Sequence, residues 1–489
     1  ATRAPTRPNR IGMSTVRLVE VSGDGLVVEE IDILDGTPLL DIKPYVPVFD
    51  SYPDSRAGWL DEQFALPPSL GIEPALAAID CSPMAAFPPC PESVIQTQWS
   101  LFDQLWWERA LFAPDQLRQR IAFALGQLFV VSRRDPLLRL YPRMVADFDE
   151  LLVLHAFDDF RTLLEAVARH PAMGTYLSVV KSRVADAEEG NHPDENFARE
   201  AMQLFTIGLV ELNPDGSVRT DAAGDPVPTY DQDQIEALAR VFTGYNYGQG
   251  ESVETVFGPL HEFLAVPPAY GVLEHWPAFH APGQKDLVSG ATIPAGTPAP
   301  LDLDQALDVL ASHPNVGPFV ARRLIQRLVT SNPSPAYLER VATVWADDGS
   351  GRRGNLEAVV RAILIDPEAD AAGSDPDRDA RITEPILRLT ALWRAFRAEP
   401  VMDAAPFPGS NVLGQAPYDS PSVFNFFSPD DTTPSLAAQG LVAPEAEVSR
   451  PRFSAPASNP PPRAPALHPA STPPPGGVPP SSGPPPPVA

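Results

Sequence analysis

Basic residues and long apolar runs are scarce in this sequence, and each shortage excludes a class of partner. Lysine and arginine number 36 against 63 aspartate and glutamate residues, which gives a formal net charge of −27. Such an acidic chain does not suit a nucleic-acid surface or an anionic membrane over most of its length. No apolar run approaches the length of a membrane span, so we expect no membrane partner.

Cysteine is also scarce, because the chain has only Cys81 and Cys90, nine residues apart in a proline-rich loop. A disulfide would suit an exported protein, whereas two free thiols are the simpler interpretation and the one favoured here. The chain starts at Ala1 without a charged and then apolar leader, so the sequence predicts no signal peptide.

Several common catalytic motifs do not occur. The sequence contains no GxSxG nucleophile elbow, no Walker loop and no dinucleotide-binding fingerprint. The common nucleophile and phosphate chemistries therefore gain no support, and no catalytic residue is assigned from such patterns.

What the sequence does contain divides it into three parts. At 489 residues the chain is too long for one ordinary core. Residues 1–60 alternate like short strands, residues 62–445 carry helical patterns, and residues 446–489 are rich in proline and poor in apolar residues. The predicted fold class is mainly α, a large all-helical domain with long loops, preceded by a short partial β-barrel segment and followed by a disordered tail.

Helical periodicity recurs along the second part. Residues 63–97 are proline-rich and are expected to be loop-like. The helices predicted after them span residues 98–112, 115–131, 137–155, 158–169, 193–208, 232–243, 304–311, 316–330, 335–345, 356–365 and 384–396. Their apolar residues are interpreted as core rather than as a cofactor site.

The stretch from Pro193 to Gly208 is the most informative of these helices. Its proline and the two acidic residues that follow suit a helix start, and its glycine suits a helix end. An apolar face runs beside a polar stripe, which consists of Asn196, Arg199, Glu200 and Gln203. We interpret this stripe first as a polar network that needs full hydrogen bonding, and we keep it as the candidate site of the helical domain.

The loop between residues 245 and 300 holds the remaining candidate chemistry. Histidine and carboxylate side chains that could bind a divalent metal are His261, Glu262, His275 and His280, followed by Lys285. They lack HExxH spacing on a helix, so they are weak metal candidates. Histidines bonded to backbone groups are the favoured interpretation, and no metal is expected. The histidines before prolines, His170, His192 and His313, are typical of turns at helix boundaries.

The first sixty residues differ from the rest. Residues 15–33 alternate apolar and polar side chains about a Gly-Asp-Gly turn, which predicts a β-hairpin. Arg3, Arg7 and Arg10 form a basic cluster in an otherwise acidic chain. A loop with arginine, asparagine and serine can hold an anionic or nucleotide-like ligand, or can be a solvated surface loop.

Three motifs in this part resemble those of a known family. They are Arg7-Pro8-Asn9 with Ile11-Gly12 and Ser14, Asp35-Gly36-Thr37-Pro38 with DIKPYVP at residues 41–47, and Asp54 with Ala57-Gly58. In order and spacing they resemble the C-terminal half of the TsaA-like, TrmO-type tRNA methyltransferase domain. The resemblance implies a small, dimeric β-barrel enzyme that uses S-adenosylmethionine to methylate a threonylcarbamoyl-adenosine beside the tRNA anticodon. Arg10 departs from the proline usual in that family.

By this resemblance, the cofactor and substrate pocket is formed by Arg7, Asn9, Ser14, Asp35, Thr37, Asp41, Lys43 and Tyr45. The function predicted first is therefore an S-adenosylmethionine-dependent tRNA methyltransferase-like segment, incomplete, fused to a helical domain of unknown activity. The resemblance implies tRNA as a partner and a homodimer as the assembly.

The helical part resembles a second family over residues 62–445. The matching stretches are RQRIAFALGQLFVVS at residues 118–132, HPAM at 170–173, the stretch 193–208, residues 231–245 and 312–334, LGQAP at 413–417 and PSVFN at 421–425. They resemble the bacterial domain of unknown function 1800, whose members are mostly predicted to be exported. Many members read ELHTLG where this chain reads QLFTIG, at residues 203–208.

The two resemblances imply different compartments, because tRNA modification is cytoplasmic and the larger family looks exported. A chimeric chain is one explanation. The alternative function is an exported helical protein of unknown function, or a non-catalytic scaffold, in which residues 1–60 are a non-functional remnant.

Overall fold

A computed structural model of the chain describes residues 17–22, 25–29, 59–79, 90–186, 188, 190–247, 271–370, 381–396 and 410–449. The chain divides into two units, residues 1–449 and 450–489, and every described residue belongs to the first. The tail that the sequence predicts to be disordered therefore lies almost wholly outside the described residues.

The N-terminal segment contributes a two-stranded hairpin to the described part. Strand β1 (Arg17–Ser22) pairs antiparallel with β2 (Gly25–Glu29), with one irregularity in the register after Leu18. The predicted hairpin is confirmed. The remainder of the expected partial barrel lies outside the described residues.

Helices form most of the remaining described structure, so the prediction of a mainly α fold is confirmed. In chain order they are α1 (Trp59–Ala65), α2 (Ile72–Ala77), α3 (Glu92–Phe112), α4 (Gln116–Gly126), α5 (Pro142–Leu154), α6 (Phe160–Ala168), α7 (Pro171–Tyr176), α8 (Asn196–Glu200), α9 (Gln232–Val241), α10 (Ala299–Ser312), α11 (Val316–Leu328), α12 (Pro335–Ala346), α13 (Leu356–Ile365), α14 (Pro367–Asp370), α15 (Pro385–Ala395), α16 (Ser410–Leu413), α17 (Pro434–Ala437) and α18 (Ala446–Ser449). None of the described helices is both long and apolar enough to cross a membrane.

Short strand pairs brace the segment between α9 and α10. Strand β3 (Tyr245–Asn246) pairs with β4 (Glu274–His275), and β5 (Lys285–Asp286) pairs with β6 (Thr292–Ile293), both antiparallel. These pairs fix the described part of the histidine-containing loop against the helices.

The prediction that residues 63–97 are loop-like is wrong. Helix α1 ends in this stretch, α2 lies wholly within it, and α3 begins at Glu92. The prolines do not prevent this, because Pro74 occupies the first turn of α2, where a proline is tolerated. The first turn of α2 is also capped from a distance, since one carboxylate oxygen of Glu150 accepts from the backbone N–H of Gly71 at 2.6 Å and of Ile72 at 2.5 Å.

Aromatic side chains tie the helices into one core, as the sequence predicts for its apolar residues. Phe129 contacts Phe160 and Phe205, with ring centroids 6.1 and 5.2 Å apart. Phe160 also meets Trp345 edge to face at 5.0 Å. These four rings are buried, so helices distant in sequence share a single packed interior.

Cys90 is disulfide-bonded and buried. The favoured interpretation of two free thiols is therefore wrong for Cys90, because sequence spacing alone does not show how closely a loop brings two thiols together. Cys81 lies outside the described residues.

Candidate functional site

The residues that resemblance assigns to the cofactor pocket lie outside the described residues. Arg7, Asn9 and Ser14 precede β1, and the set Asp35, Thr37, Asp41, Lys43 and Tyr45 follows β2. The hairpin β1–β2 therefore separates the two halves of this set in the chain. Their grouping into one pocket stays a prediction.

The stretch from residue 193 to 208 is helical, but it begins later and is wound differently than the sequence predicts. Helix α8 begins at Asn196 and is followed by a wider π-helical segment, Ala201–Thr206. The Thr206 hydroxyl donates to the carbonyl of Ala201 at 2.6 Å, and the N–H of Ile207 bonds five residues back. Such segments are rare and occur often at functional sites.

The polar stripe on this stretch does not form one buried network. Asn196 is exposed, Gln203 is half-buried, and the Arg199 side chain is 40% exposed. Arg199 pairs with Glu195, four residues before it, at 2.8 Å. Of the four residues in the stripe, Glu200 is the buried one, so the structure separates it from the others.

Glu200 is a buried carboxylate with incomplete hydrogen bonding. Its Oε2 atom is buried and has no hydrogen-bond partner among the described residues. Burial raises the pKa of Glu200 above its usual value, and the positive charge of Arg199 offsets only part of that effect. The charge of Glu200 also contributes to raising the pKa of the half-buried Tyr176, which reaches about 12, chiefly through desolvation. The site thus disfavours the charged form of Glu200 relative to a solvated carboxylate.

A small cavity lies where the stretches of the second resemblance meet. It measures about 30 Å³, enough for one or two water molecules. Its lining includes Phe123, Gln127 and Val131 from residues 118–132, and Gln415, Tyr418 and Asn425 from residues 413–425. The Nδ2 atom of Asn425 and the Oε1 atom of Gln127 are buried without hydrogen-bond partners among the described residues. They supply one donor and one acceptor, which suits a bound water.

Backbone strain and a buried ion pair mark the same cavity. Tyr418 and Asn425 have positive φ angles of 52° and 67°, and such strain clusters at functional sites. The Tyr418 hydroxyl donates to Asp149 at 3.1 Å, and Asp149 also pairs with Arg109. Burial, reinforced by the charge of Asp149, raises the pKa of Tyr418 well above its usual value. The phenol is therefore a fixed hydrogen-bond donor.

Behind the cavity lies a buried charge cluster, formed by Arg120, Arg327, Arg381, Glu384 and Glu445. Glu384 joins it to the cavity, because its Oε2 atom accepts from the Nε2 atoms of the cavity residues Gln127, at 2.9 Å, and Gln415, at 2.6 Å. Arg381 contacts Glu445 at 3.0 Å and Glu384 at 3.6 Å, and it shares the backbone carbonyl of Arg327 with Arg120.

The charge cluster is poorly solvated. Burial lowers the pKa of Arg120 to about 9 and that of Arg327 to about 10, and burial raises the pKa of Glu445. Three arginines face two carboxylates, so loss of either negative charge would leave more positive charge buried without a counter-charge. The sequence does not reveal this cluster, because Gln127 and Glu384 are 257 positions apart and because Arg381, Glu384 and Glu445 lie outside the matching stretches.

The described histidines of the loop are bonded to their surroundings. His280 contacts the backbone carbonyl of Thr243 through Nδ1 and the buried Asp302 through Nε2, both at 2.9 Å. Burial, with the nearby His280, lowers the pKa of His275 to about 4. Within the described ranges no group of three or more His, Cys, Asp or Glu side chains is placed to hold a metal ion. His261 and Glu262 lie outside those ranges.

Histidines before prolines form turns at helix ends, as the sequence predicts. His170 Nδ1 accepts from the N–H of Ala172 and caps α7, while its Nε2 contacts Asp147 at 3.1 Å. His313 Nδ1 accepts from the N–H of Asn315 at the end of α10. His192 is exposed. The first two are thus explained by local capping.

Curated relatives match the N-terminal segment. A probable S-adenosyl-L-methionine-binding protein of Pyrococcus abyssi is 64% identical over 62 residues, which are 13% of this chain and 34% of the relative. The tRNA (adenine(37)-N6)-methyltransferase of Eikenella corrodens is 41% identical over 92 residues, 18% of this chain and 48% of the relative. The enzyme of that name in Escherichia coli is 48% identical over 63 residues, 12% of this chain and 27% of the relative. The chain thus spans less than half the length of each of these relatives.

Two families match the chain, and both resemblances are confirmed. The tRNA-methyltransferase O N-terminal domain matches residues 1–51, so the N-terminal segment is similar to that domain. No solved structure matches the chain. The family described as protein of unknown function (DUF1800) matches residues 51–459, which include all the helices of the described structure. On that coverage, the chain belongs to the DUF1800 family.

Proposed function

We propose that the N-terminal segment binds S-adenosylmethionine and takes part in methyl transfer to an adenine of tRNA. The observation that carries the proposal is the similarity of this segment to a Pyrococcus abyssi protein named for S-adenosyl-L-methionine binding, at 64% identity over 62 residues. Two further relatives are named as tRNA (adenine(37)-N6)-methyltransferases. The threonylcarbamoyl-adenosine beside the anticodon is the substrate that we propose.

The side chains assigned to the pocket have the chemistry that the cofactor requires. S-adenosylmethionine carries an ammonium, a carboxylate and ribose hydroxyls, and it supplies an activated methyl group when bound. Asp35 and Asp41 suit the ammonium and hydroxyl groups, and Arg7 and Lys43 suit the carboxylate. Asn9 can pair with the adenine edge, since its amide offers both a donor and an acceptor. The donor set therefore fits the cofactor.

The same segment carries the positive charge that a tRNA partner needs. Arg3, Arg7 and Arg10 lie within its first ten residues, while the whole chain has a net charge of −27. Phosphate contacts by arginine dominate nucleic-acid affinity and weaken as salt rises. We therefore place tRNA against the N-terminal segment rather than against the helical domain. A homodimer is part of the same proposal, and light scattering of the purified chain measures it.

The experiment is calorimetric titration of the full chain with S-adenosylmethionine. We expect binding by the unchanged chain and a loss of at least about tenfold in Asp35→Asn, because each charge-assisted hydrogen bond contributes about 1.5–3 kcal/mol. Arg199→Ala is the matched control, since Arg199 lies in the helical domain, and it should bind as the unchanged chain does. Absence of heat with the unchanged chain would contradict the proposal and leave residues 1–51 as a remnant.

The compartment follows from the same proposal. Methyl transfer to tRNA places the protein in the cytoplasm, whereas a disulfide at Cys90 is typical of an oxidising compartment. Fractionation of cells, combined with thiol labelling of Cys90 in each fraction, distinguishes the two. Protein found only outside the cytoplasm would contradict action on tRNA.

A further inference from the structure

Lys285 and Asp302 lie in contact inside the protein, where solvent does not reach them. Their side chains are 1% and 0% exposed, and the Nζ atom of Lys285 contacts the Oδ2 atom of Asp302. Lys285 belongs to β5 and Asp302 to the first turn of α10. Two separate backbone elements thus hold an amine and a carboxyl group together in a dry site.

The proton positions in this site follow from the contacts of His280. Its Nδ1 atom lies 2.9 Å from the backbone carbonyl of Thr243, which can only accept, so Nδ1 carries a proton. The Thr243 hydroxyl cannot supply that proton, because it donates to the carbonyl of Arg240 at 2.7 Å. The Nε2 atom lies 2.9 Å from Oδ2 of Asp302, and without a proton between them these two atoms would face each other with lone pairs. A proton therefore lies between Nε2 and Oδ2.

That proton can come from Lys285, which contacts the same oxygen. Its transfer leaves a neutral amine beside a carboxylic acid, and the summed charge of the three groups does not change. Two other observations agree with this arrangement. The Oδ1 atom of Asp302 is buried without a hydrogen-bond partner among the described residues, which costs less for a carbonyl oxygen than for part of a carboxylate. The adjacent His275 is neutral at physiological pH, because burial lowers its pKa to about 4.

We propose that Lys285 and Asp302 condense into an amide, an intramolecular cross-link between β5 and α10. The Nζ lone pair forms a bond to Cγ of Asp302, and the bond from Cγ to Oδ2 breaks. The proton that Nζ gives up moves to Oδ2, which also holds the proton shared with His280, so the oxygen leaves as water. One amine and one carboxylic acid thus become one amide and one water, without an oxidant, a reductant or a bound cofactor.

The product fits the surroundings of the pair. The nitrogen of the amide keeps one N–H, and the carbonyls of Ala281 and Gly283 lie 2.8 and 3.2 Å from Nζ as acceptors for it. The buried ion pair, whose two charges are expensive to remove from water, is replaced by a neutral group. The link also closes the chain between residues 285 and 302, which restricts the unfolded chain as a disulfide does.

Mass spectrometry of the full chain tests the proposal. We expect the reduced, denatured protein to weigh less than its sequence mass by one water molecule. Trypsin releases residues 241–285 and 286–322 as two peptides from an unlinked chain. In the linked chain it cannot cleave after Lys285, so these residues remain one peptide that has lost one water, and fragmentation assigns the link to Lys285 and Asp302.

Two variants control for other ways of losing water. Lys285→Arg keeps a positive charge and a tryptic site but has no amine nucleophile, so it should show the full sequence mass. Asp302→Asn should form the same amide with loss of ammonia, and its unprocessed form has the mass of the sequence. A full sequence mass in the folded, unchanged chain would overturn the proposal, whether or not the variants fold. So would a water loss that fragmentation assigns elsewhere, such as to a succinimide at Asp215-Gly216.

Discussion

Replacing the carboxylate of Glu384 by an amide of the same shape should destabilise the helical domain strongly. Glu384 is fully buried, accepts hydrogen bonds from Gln127 and Gln415, and lies 3.6 Å from Arg381. In Glu384→Gln the three buried arginines keep only Glu445 as a buried counter-charge. Removing one side of a buried ion pair costs about 3–5 kcal/mol, so we expect a loss of that size.

The expected loss can be measured by differential scanning calorimetry. An unfolding entropy of about 2.1 cal/mol/K per residue over roughly 400 residues corresponds to about 0.8 kcal/mol per kelvin, so Tm should fall by about 4–6 °C. Glu92→Gln is the matched control, because Glu92 pairs with Arg139 on the surface, where both side chains are more than half exposed. Exposed pairs contribute about 0–1 kcal/mol. If Glu384→Gln has the same Tm as Glu92→Gln, the buried arginines do not need the charge of Glu384, and our account of the cluster is refuted.

Three further substitutions test other features. Gly208→Ala puts a methyl group against the Phe319 ring at a φ of +68°, so the free energy of unfolding measured in urea should fall by about 2–4 kcal/mol. Gly283→Ala is the control, because its Cβ meets open space, and it should lower that free energy by under about 1 kcal/mol. Because burial raises the pKa of Glu200, its folded form binds a proton more tightly, so stability is full below the usual carboxyl pKa and falls as pH rises through the folded value. Glu200→Gln should remove that fall in melting curves recorded from about pH 4 to about pH 8, and an unchanged fall would contradict it. Tyr418→Phe removes a buried donor and should lower stability by about 1–2 kcal/mol in urea; an unchanged midpoint would contradict the role assigned to its hydroxyl.

Where local signals decide a helix, the sequence predicted it well. Helix α13 has the predicted bounds, because Asn355 caps it by accepting from the N–H of Ala358 and Pro367 follows closely after its end. Helix α9 begins with a reciprocal cap, in which Asp231 and Gln234 each bond the backbone of the other. In both caps the bonded residues lie within a few positions of the helix start, so the local sequence is enough to recognise them.

Where the stabilising partner is remote, the sequence could not predict the structure. Helix α2 is capped by Glu150, 78 residues away from Ile72, and the sequence near α2 does not indicate such a distant partner. Leu209 continues the helical spacing of the apolar residues in the 193–208 stretch, yet it is 59% exposed. It follows the π-helical segment, so the regular helical spacing used for the prediction no longer holds there.

The same distinction applies to the candidate sites. The interpretation of the loop histidines as bonded to backbone groups is confirmed for His280, whose neighbour Lys285 was visible in the same loop. Asp302 was not singled out, because an aspartate in the first turn of a helix is ordinary. Its role depends on burial and on contacts across 17 and 22 residues to Lys285 and His280, which only the folded chain provides.

The wide turn at Ala201–Thr206 has a consequence for the lengths that this helix tolerates. In a regular α-helix, deletion of one residue rotates everything beyond it by about 100°. A π-turn instead holds one residue more than an α-turn needs, so deletion of a single residue here restores regular winding. The flanking Glu200 and Gly208 can then keep their places. This turn is therefore a position at which the chain can lose a residue without disturbing the packing on either side.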